Sequence, residues 1–152
     1  MKIKIGKKKI SKSRTFFVAE MSANHNGSLK KAKEIIKKAK IAGADAIKLQ
    51  TYSADSITIN SNKKDFRLTH KSASPWKKYK NFYQLYKKAS TPLSWHKEIF
   101  DFALKEKIIC FSSPFSIEAV DFLEKFNPKF YKIASFEITD LPLIKRVAQT
   151  KK

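Results

Sequence analysis

The chain has 152 residues, 42% hydrophobic and 12% aromatic, which suits one domain with a buried core and excludes a disordered chain. No apolar run reaches membrane-spanning length, and Met1-Lys2-Ile3-Lys4-Ile5 lacks the apolar core of a signal peptide, so a cytoplasmic protein without membrane contact is expected. The net charge of +20 is carried almost wholly by lysine, Arg14, Arg67 and Arg146 being the only arginines. Nucleic-acid surfaces also draw on arginine for its bidentate grip on phosphate, so the charge reads as a lysine-rich surface and no nucleic acid is expected as a partner. The single cysteine, Cys110, excludes an internal disulfide, and no Cys/His spacing points to zinc.

Residues 2–10 alternate Lys and Ile around Gly6, the pattern of a short N-terminal β-hairpin or edge strand. Phe16–Ala19 is an apolar run of the kind a strand buried on both faces shows. It breaks into Glu20-Met21-Ser22-Ala23-Asn24-His25-Asn26-Gly27, with Ser28 as N-cap of an amphipathic helix over 29–42 that Gly43 closes. Asp45–Gln50 is the second strand. Residues 51–90 form a long insertion after it, with a short helix expected over Asn81–Lys88. Thr91 as N-cap and Pro92 at the first helical position start a helix to about Lys105 that buries Trp95, Ile99, Phe102 and Ala103. Ile108–Phe111 is the third strand, followed by Ser112-Ser113-Pro114, and Ser116 caps a helix through Phe126. Phe130–Ala134 is the fourth strand, running into Ser135-Phe136-Glu137, and a last helix begins near Asp140-Leu141-Pro142.

Strands alternating with helices predict an α/β fold with a parallel sheet: about four βα units behind the hairpin, a partial (β/α)8 TIM barrel. Each strand delivers polar residues at its C-terminal end. These are Glu20 and Asn24, then Lys48 and Gln50, then Ser112 and Ser113, then Lys132 with Ser135 and Glu137. In parallel α/β folds ligands bind at that edge.

Lys48 and Lys132 lie inside otherwise apolar strands, where an ammonium needs a counter-charge. Two readings stand for each: an ion pair with Glu20 or Glu137, or an anionic ligand carrying phosphate and carboxylate, with Ser113 and Ser135 as neutral donors. With three glycines in the whole chain there is no phosphate-binding glycine loop. Glu20 and Glu137 supply acid/base capacity, although Glu137 also fits a helix N-terminal charge. His25 reads as a turn residue, His70 as a loop residue, His96 as a helix-surface residue and Cys110 as a small core side chain.

Four segments together resemble the sialic acid synthase family: Ala19–Gly27, Ala42–Tyr52, Phe111–Phe115 and Tyr131–Glu137, in order and at matched spacing. The resemblance runs from about Phe16 to the last residue. Met21-Ser22-Ala23, Leu49-Gln50-Thr51-Tyr52 and Leu85–Ala89 with Thr91-Pro92 look most like the pseudaminic acid synthases, with the N-acetylneuraminate and legionaminate synthases as alternatives. The resemblance implies a transferase condensing phosphoenolpyruvate with an N-acylated amino sugar, here 2,4-diacetamido-2,4,6-trideoxy-altrose. Lys48, Ser113, Lys132 and Ser135 match residues that hold phosphoenolpyruvate. Glu20 and Gln50 match residues facing the sugar, and Glu137 matches the carboxylate that activates water; Asn24 is a further substrate-binding candidate on the same loop. The family's divalent metal, Mn2+ or Mg2+, and its C-terminal antifreeze-like domain belong to a second half that residues 1–152 do not match. The implied partner is a second copy or a complementary second-half chain, and the chain alone is expected to be inactive. A non-catalytic anion-binding module is the remaining alternative.

Overall fold

Three short parallel strands organise the residues that the structure, a computed structural model, describes: 3–5, 8–11, 13–68 and 76–152. Gly6 and His70 lie outside these. Strands β1 (Ile3–Ile5) and β2 (Lys8–Ile10) pair antiparallel, with Ile3 opposite Ile10. The parallel sheet comprises β3 (Val18–Glu20), β4 (Ala46–Thr51) and β5 (Ile109–Pro114), in that order. Its register aligns Glu20, Lys48 and Phe111 in one row and, two residues on, Gln50 with Ser113. Because side chains alternate along a strand, Lys48 and Gln50 face one side of the sheet and Ile47 and Leu49 the other.

Helix α1 (Leu29–Ile41) starts where Ser28 Oγ accepts the Lys31 N–H at 3.2 Å. It stops at Ala42, after which Gly43, at φ +88, turns the chain toward β4 in a conformation that costs glycine nothing. The long insertion carries α2 (Ala54–Ile57), a 3-10 turn over Lys64–Phe66 and α3 (Phe82–Ala89), the last capped by Asn81 Oδ1 on the Gln84 N–H at 2.9 Å. Helix α4 (Leu93–Lys105) lies beside α1, and together they cover the outer face of the sheet. Ile36, Ile47, Leu49, Ile99, Ala103 and Cys110 form the core there. Truncating Ile99 to Ala in that layer would cost about 2–5 kcal/mol. Helices α5 (Ile117–Glu124) and α6 (Leu141–Gln149) pack on each other and are capped by Ser116 and Asp140. No helix among the described residues is long and apolar enough to cross a membrane.

Several element boundaries differ from expectation. The first strand is Val18–Glu20 rather than Phe16–Ala19, and it is not buried on both faces: Phe17 and Val18 are exposed, because β3 is paired only with β4 among the described residues. The fourth strand is reduced to a single parallel bridge between Ser112 and Tyr131, with the Lys132 N–H donating to Ser112 O at 3.3 Å. Past that bridge the chain folds into a 3-10 turn, Ser135–Glu137, so a ladder does not develop. The third strand is longer than expected, because β5 extends through Ser112-Ser113-Pro114. Helix α4 has Pro92, not Thr91, at its N-cap; the buried Thr91 hydroxyl is instead engaged with His25, at 3.3 Å from its Nε2.

Candidate active site

The row Glu20–Lys48–Phe111 fixes the charged centre of the site. Lys48 Nζ lies 2.9 Å from Glu20 Oε1, with the Lys48 side chain 8% exposed and that of Glu20 64% exposed. The ion pair therefore hands a buried ammonium to a carboxylate that remains in solvent. Two residues further along β4, Gln50 Oε1 accepts from the Ser22 hydroxyl at 2.9 Å, tying the loop after β3 to the end of β4.

Lys132 arrives from the other side, held against β5 by its backbone bond to Ser112. It is half-buried and forms no ion pair among the described residues. The 3-10 turn that follows carries Ser135 and Glu137. Glu137 Oε2 is buried with no hydrogen-bond partner. Burial raises the Glu137 carboxyl above the ordinary carboxylate range, and the nearby Lys132 charge pulls the other way. The α6 N-cap is Asp140, so Glu137 is not the helix N-terminal charge that its position also allowed.

Glu20, Lys48, Gln50, Lys132, Ser135 and Glu137 line one cleft of about 850 Å3 at the C-terminal end of the strands. Two candidates do not line it. Asn24 is exposed, and its side-chain amide donates to Met21 O at 3.0 Å, closing the turn after β3. Ser113 stands in register with Gln50 but is 1% exposed, with an Oγ that finds no partner.

The opposite wall of the cleft was not anticipated. Tyr52, Phe66, Trp76, Phe82, Tyr86 and Phe115 contribute an aromatic surface drawn mainly from the insertion. The signal for it was present in the density of aromatics between residues 52 and 86, but strand-end reasoning looks for polar residues and passes over it. A second hollow, of about 730 Å3, lies between α4 and α5 near the start of β5, lined by Phe100, Leu104, Ile108 and Phe126 among others, and shares no residue with this cleft.

The two described histidines are internal ties. His96 is fully buried, contrary to its expected place on the helix surface. Its Nδ1 lies 3.1 Å from Pro92 O and its Nε2 2.9 Å from Thr51 Oγ1, which in turn lies 2.7 Å from Ser112 Oγ. A carbonyl can only accept, so Nδ1 carries the proton and Nε2 accepts from Thr51. His25 is also fully buried, a structural tie rather than a plain turn residue: its Nδ1 accepts the Gly27 N–H at 3.1 Å, its Nε2–H faces Thr91, and its ring meets Trp95 edge-on at 5.5 Å. Burial lowers both imidazole pKa values below the usual 6.5. With each lone pair occupied, neither ring can serve as a ligand. Among the described residues no cluster of three His, Cys, Asp or Glu side chains could hold a metal ion, so these residues do not fit the divalent metal that the resemblance implies. Cys110 is buried in the core and its thiol is pushed well up by desolvation, the profile of a packing residue.

A parallel sheet with its charged residues at the C-terminal strand ends defines an α/β protein of barrel type, partial relative to a full barrel. The chain belongs to the NeuB family, whose profile matches residues 35–152. It is 52% identical over 139 residues to the pseudaminic acid synthase of Campylobacter jejuni serotype O:2, covering 91% of this chain and 39% of that protein. Against the pseudaminic acid synthase of Helicobacter pylori it is 50% identical over 135 residues, covering 89% of this chain and 38% of the relative. The N,N'-diacetyllegionaminic acid synthase of C. jejuni is 35% identical over 140 residues, with 91% of this chain and 40% of that protein covered. Among solved structures, the N-acetylneuraminic acid synthetase of Leptospira borgpetersenii superposes with a TM-score of 0.78 at 25% identity, over 99% of this chain and 47% of that one. The spore coat polysaccharide biosynthesis protein SpsE of Bacillus subtilis gives 0.74 at 29% identity, over all of this chain and 38% of that one. The chain thus spans about two fifths of the length of the curated relatives it matches.

Proposed function

We propose that this chain provides the phosphoenolpyruvate grip of a pseudaminic acid synthase-type transferase, one that condenses phosphoenolpyruvate with 2,4-diacetamido-2,4,6-trideoxy-altrose. The observation that carries it is the meeting of Lys48 and Lys132 in one cleft with Glu20 and Glu137, in a chain half identical to pseudaminic acid synthases. The substrate has two anionic groups, a phosphate and a carboxylate. Two ammonium groups, one on β4 and one on the segment after the Tyr131 bridge, match that charge and fix its orientation. Ser135 adds a neutral donor on the cleft wall, and the buried Ser113, in register with Gln50, has an unspent hydroxyl.

In the reaction C3 of the enol attacks the aldehyde carbon of the open-chain sugar, whose oxygen gains a proton and becomes a hydroxyl. Water then adds at C2, losing a proton, and phosphate leaves by cleavage of the C2–O bond. Glu137, with a carboxylate made more basic by burial, suits the removal of that proton. Glu20 and Gln50, on the sheet side of the cleft, face the space left for the sugar. The divalent metal of the family would polarise the aldehyde, and its ligands are not among the residues described here.

The test is calorimetric titration of the purified chain with phosphoenolpyruvate, followed by mass spectrometry after incubation with sugar and Mn2+. One-to-one binding without formation of a nonulosonic acid is expected, since the residues described lack a metal site. Absence of phosphoenolpyruvate binding would overturn the reading. Product from the chain alone would overturn its dependence on further barrel units.

A further inference from the structure

The cleft has two unlike ends. One is charged and polar, from Lys48, Lys132 and the glutamates; the other is aromatic, built around Tyr52 and Tyr86. Tyr52 stands at the centre of that wall, meeting Tyr86 edge-on at 6.0 Å and Phe115 edge-on at 5.5 Å, while Phe82 stacks on Tyr86 at 6.0 Å. The rings brace one another, so the surface is preformed and does not have to be ordered by a ligand. Among the described residues neither phenol hydroxyl has a hydrogen-bond partner.

A wall of this kind suits a neutral body with apolar edges and a few hydrogen-bonding groups. A free anion gains nothing from it, and a fully hydroxylated sugar would lose water without recovering its hydrogen bonds. Acylamino groups fit on both counts: the methyl lies on a ring face and the amide carbonyl accepts from a phenol. A deoxygenated sugar carbon adds a further methyl.

We propose that Tyr52 and Tyr86 form a specificity subsite that selects an N-acylated, deoxygenated amino sugar over its hydroxylated analogues, by seating its methyl groups on the aromatic wall and donating hydroxyls to its acylamino carbonyls. The proposal rests on the function proposed above and specifies which part of the cleft reads the sugar. Burial, with Tyr86 adding to it, pushes the Tyr52 phenol up to about 12, which keeps it protonated and able to donate at any physiological pH. Both residues lie in or beside the insertion after β4, and the rings that brace them are Phe82 and Phe115.

The experiment is saturation-transfer NMR on the purified chain with two probes, 2,4-diacetamido-2,4,6-trideoxy-altrose and N-acetylmannosamine, and phosphoenolpyruvate titrated separately into the unsubstituted chain. Transfer is expected to be strongest at the acetamido and C6 methyl protons. The diacetamido sugar, with two more methyl groups to bury, should bind about tenfold tighter. Tyr86→Ala should abolish that preference, and Tyr52→Phe and Tyr86→Phe, which keep the rings, should reduce it. If phosphoenolpyruvate binds but saturation centres on the ring C–H protons, or the preference survives all three substitutions, the subsite is wrong and the function stands. If phosphoenolpyruvate fails to bind, the function falls and takes the subsite with it.

Discussion

Replacing Lys132 by Met separates an anion site from a lysine-rich surface. Lys132 is half-buried in the cleft and forms no ion pair among the described residues, whereas Lys48 is already neutralised by Glu20 at 2.9 Å. An incoming anion therefore gains a charge-assisted contact at Lys132, whose charge otherwise reaches Glu137 without forming an ion pair, but must compete with a carboxylate at Lys48. Such a contact contributes about 1.5–3 kcal/mol, so Lys132→Met should weaken phosphoenolpyruvate binding by roughly 10- to 150-fold. Glu20→Gln should act in the opposite direction. The Glu20 end of the pair is largely exposed and screened by water, so its competition is worth about 1 kcal/mol at most and removing it should tighten binding by no more than about fivefold. Net charge alone could imitate both signs, and Lys145→Met on the exposed face of α6 controls for it. At about 0.15 M salt a charge beyond some 8 Å is largely screened, and the control should change affinity less than about twofold. Calorimetric titration in that buffer reads all four proteins. Melting temperatures confirm that they fold. Lys132→Met binding within twofold of the parent, or a loss in Lys145→Met as large, would refute the reasoning.

Two other outcomes follow from the packing. His25 and His96 are held neutral by burial, so the unfolded chain takes up protons below its imidazole pKa of 6.5 that the folded chain refuses. Their contribution is complete above that pH and is lost on acidification, by up to about 1.4 kcal/mol for each at pH 5.5. Glu137 is raised and acts in the opposite sense, so urea midpoints at pH 7.5 and 5.5 should be compared in a Glu137→Gln background; a flat or rising midpoint on acidification would count against it. Separately, Phe17 and Val18 are exposed at β3, which is paired only with β4 among the described residues, and Phe136 is 91% exposed beside the cleft. We expect the chain to self-associate, or to bind a chain carrying further βα units, in sedimentation at physiological salt; a compact monomer with a sharp cooperative melt would contradict this.

The parts of the fold set by local chemistry were legible in the sequence. Ser28 and Ser116 each announce a helix through a side chain that can meet an otherwise free N–H, and each does so in the structure; Asn81 and Asp140, read only as helix starts, act as caps as well. The strand expected over Asp45–Gln50 is observed as Ala46–Thr51, and the C-terminal edge of the sheet gathered the charged candidates. What was not legible depends on contacts between distant segments. His96 looks like a surface residue because its neighbours Lys97 and Glu98 are; its burial follows from Thr51 and Ser112, distant in sequence, and from Phe122 packed against its ring at 5.2 Å. Thr91 carries every mark of an N-cap, yet its hydroxyl is engaged by His25, from the loop after β3. The aromatic wall required α3 to be folded back over the end of β4, which no local pattern dictates.

The two readings of Lys48, ion pair or anion site, are not alternatives in the folded protein. A lysine at 8% exposure has to keep a counter-charge when no ligand is present, and Glu20 is that charge. Glu20 is well placed to give it up, because its carboxylate stays largely in water and regains hydration when displaced. The exchange swaps one carboxylate for another anion at the same ammonium, so its net free energy is small, and the affinity must come from the contacts that Glu20 does not make. Lys132, in the same cleft and without an ion pair among the described residues, is the contact available for that, which makes it the residue on which binding should depend more steeply than on the buried lysine.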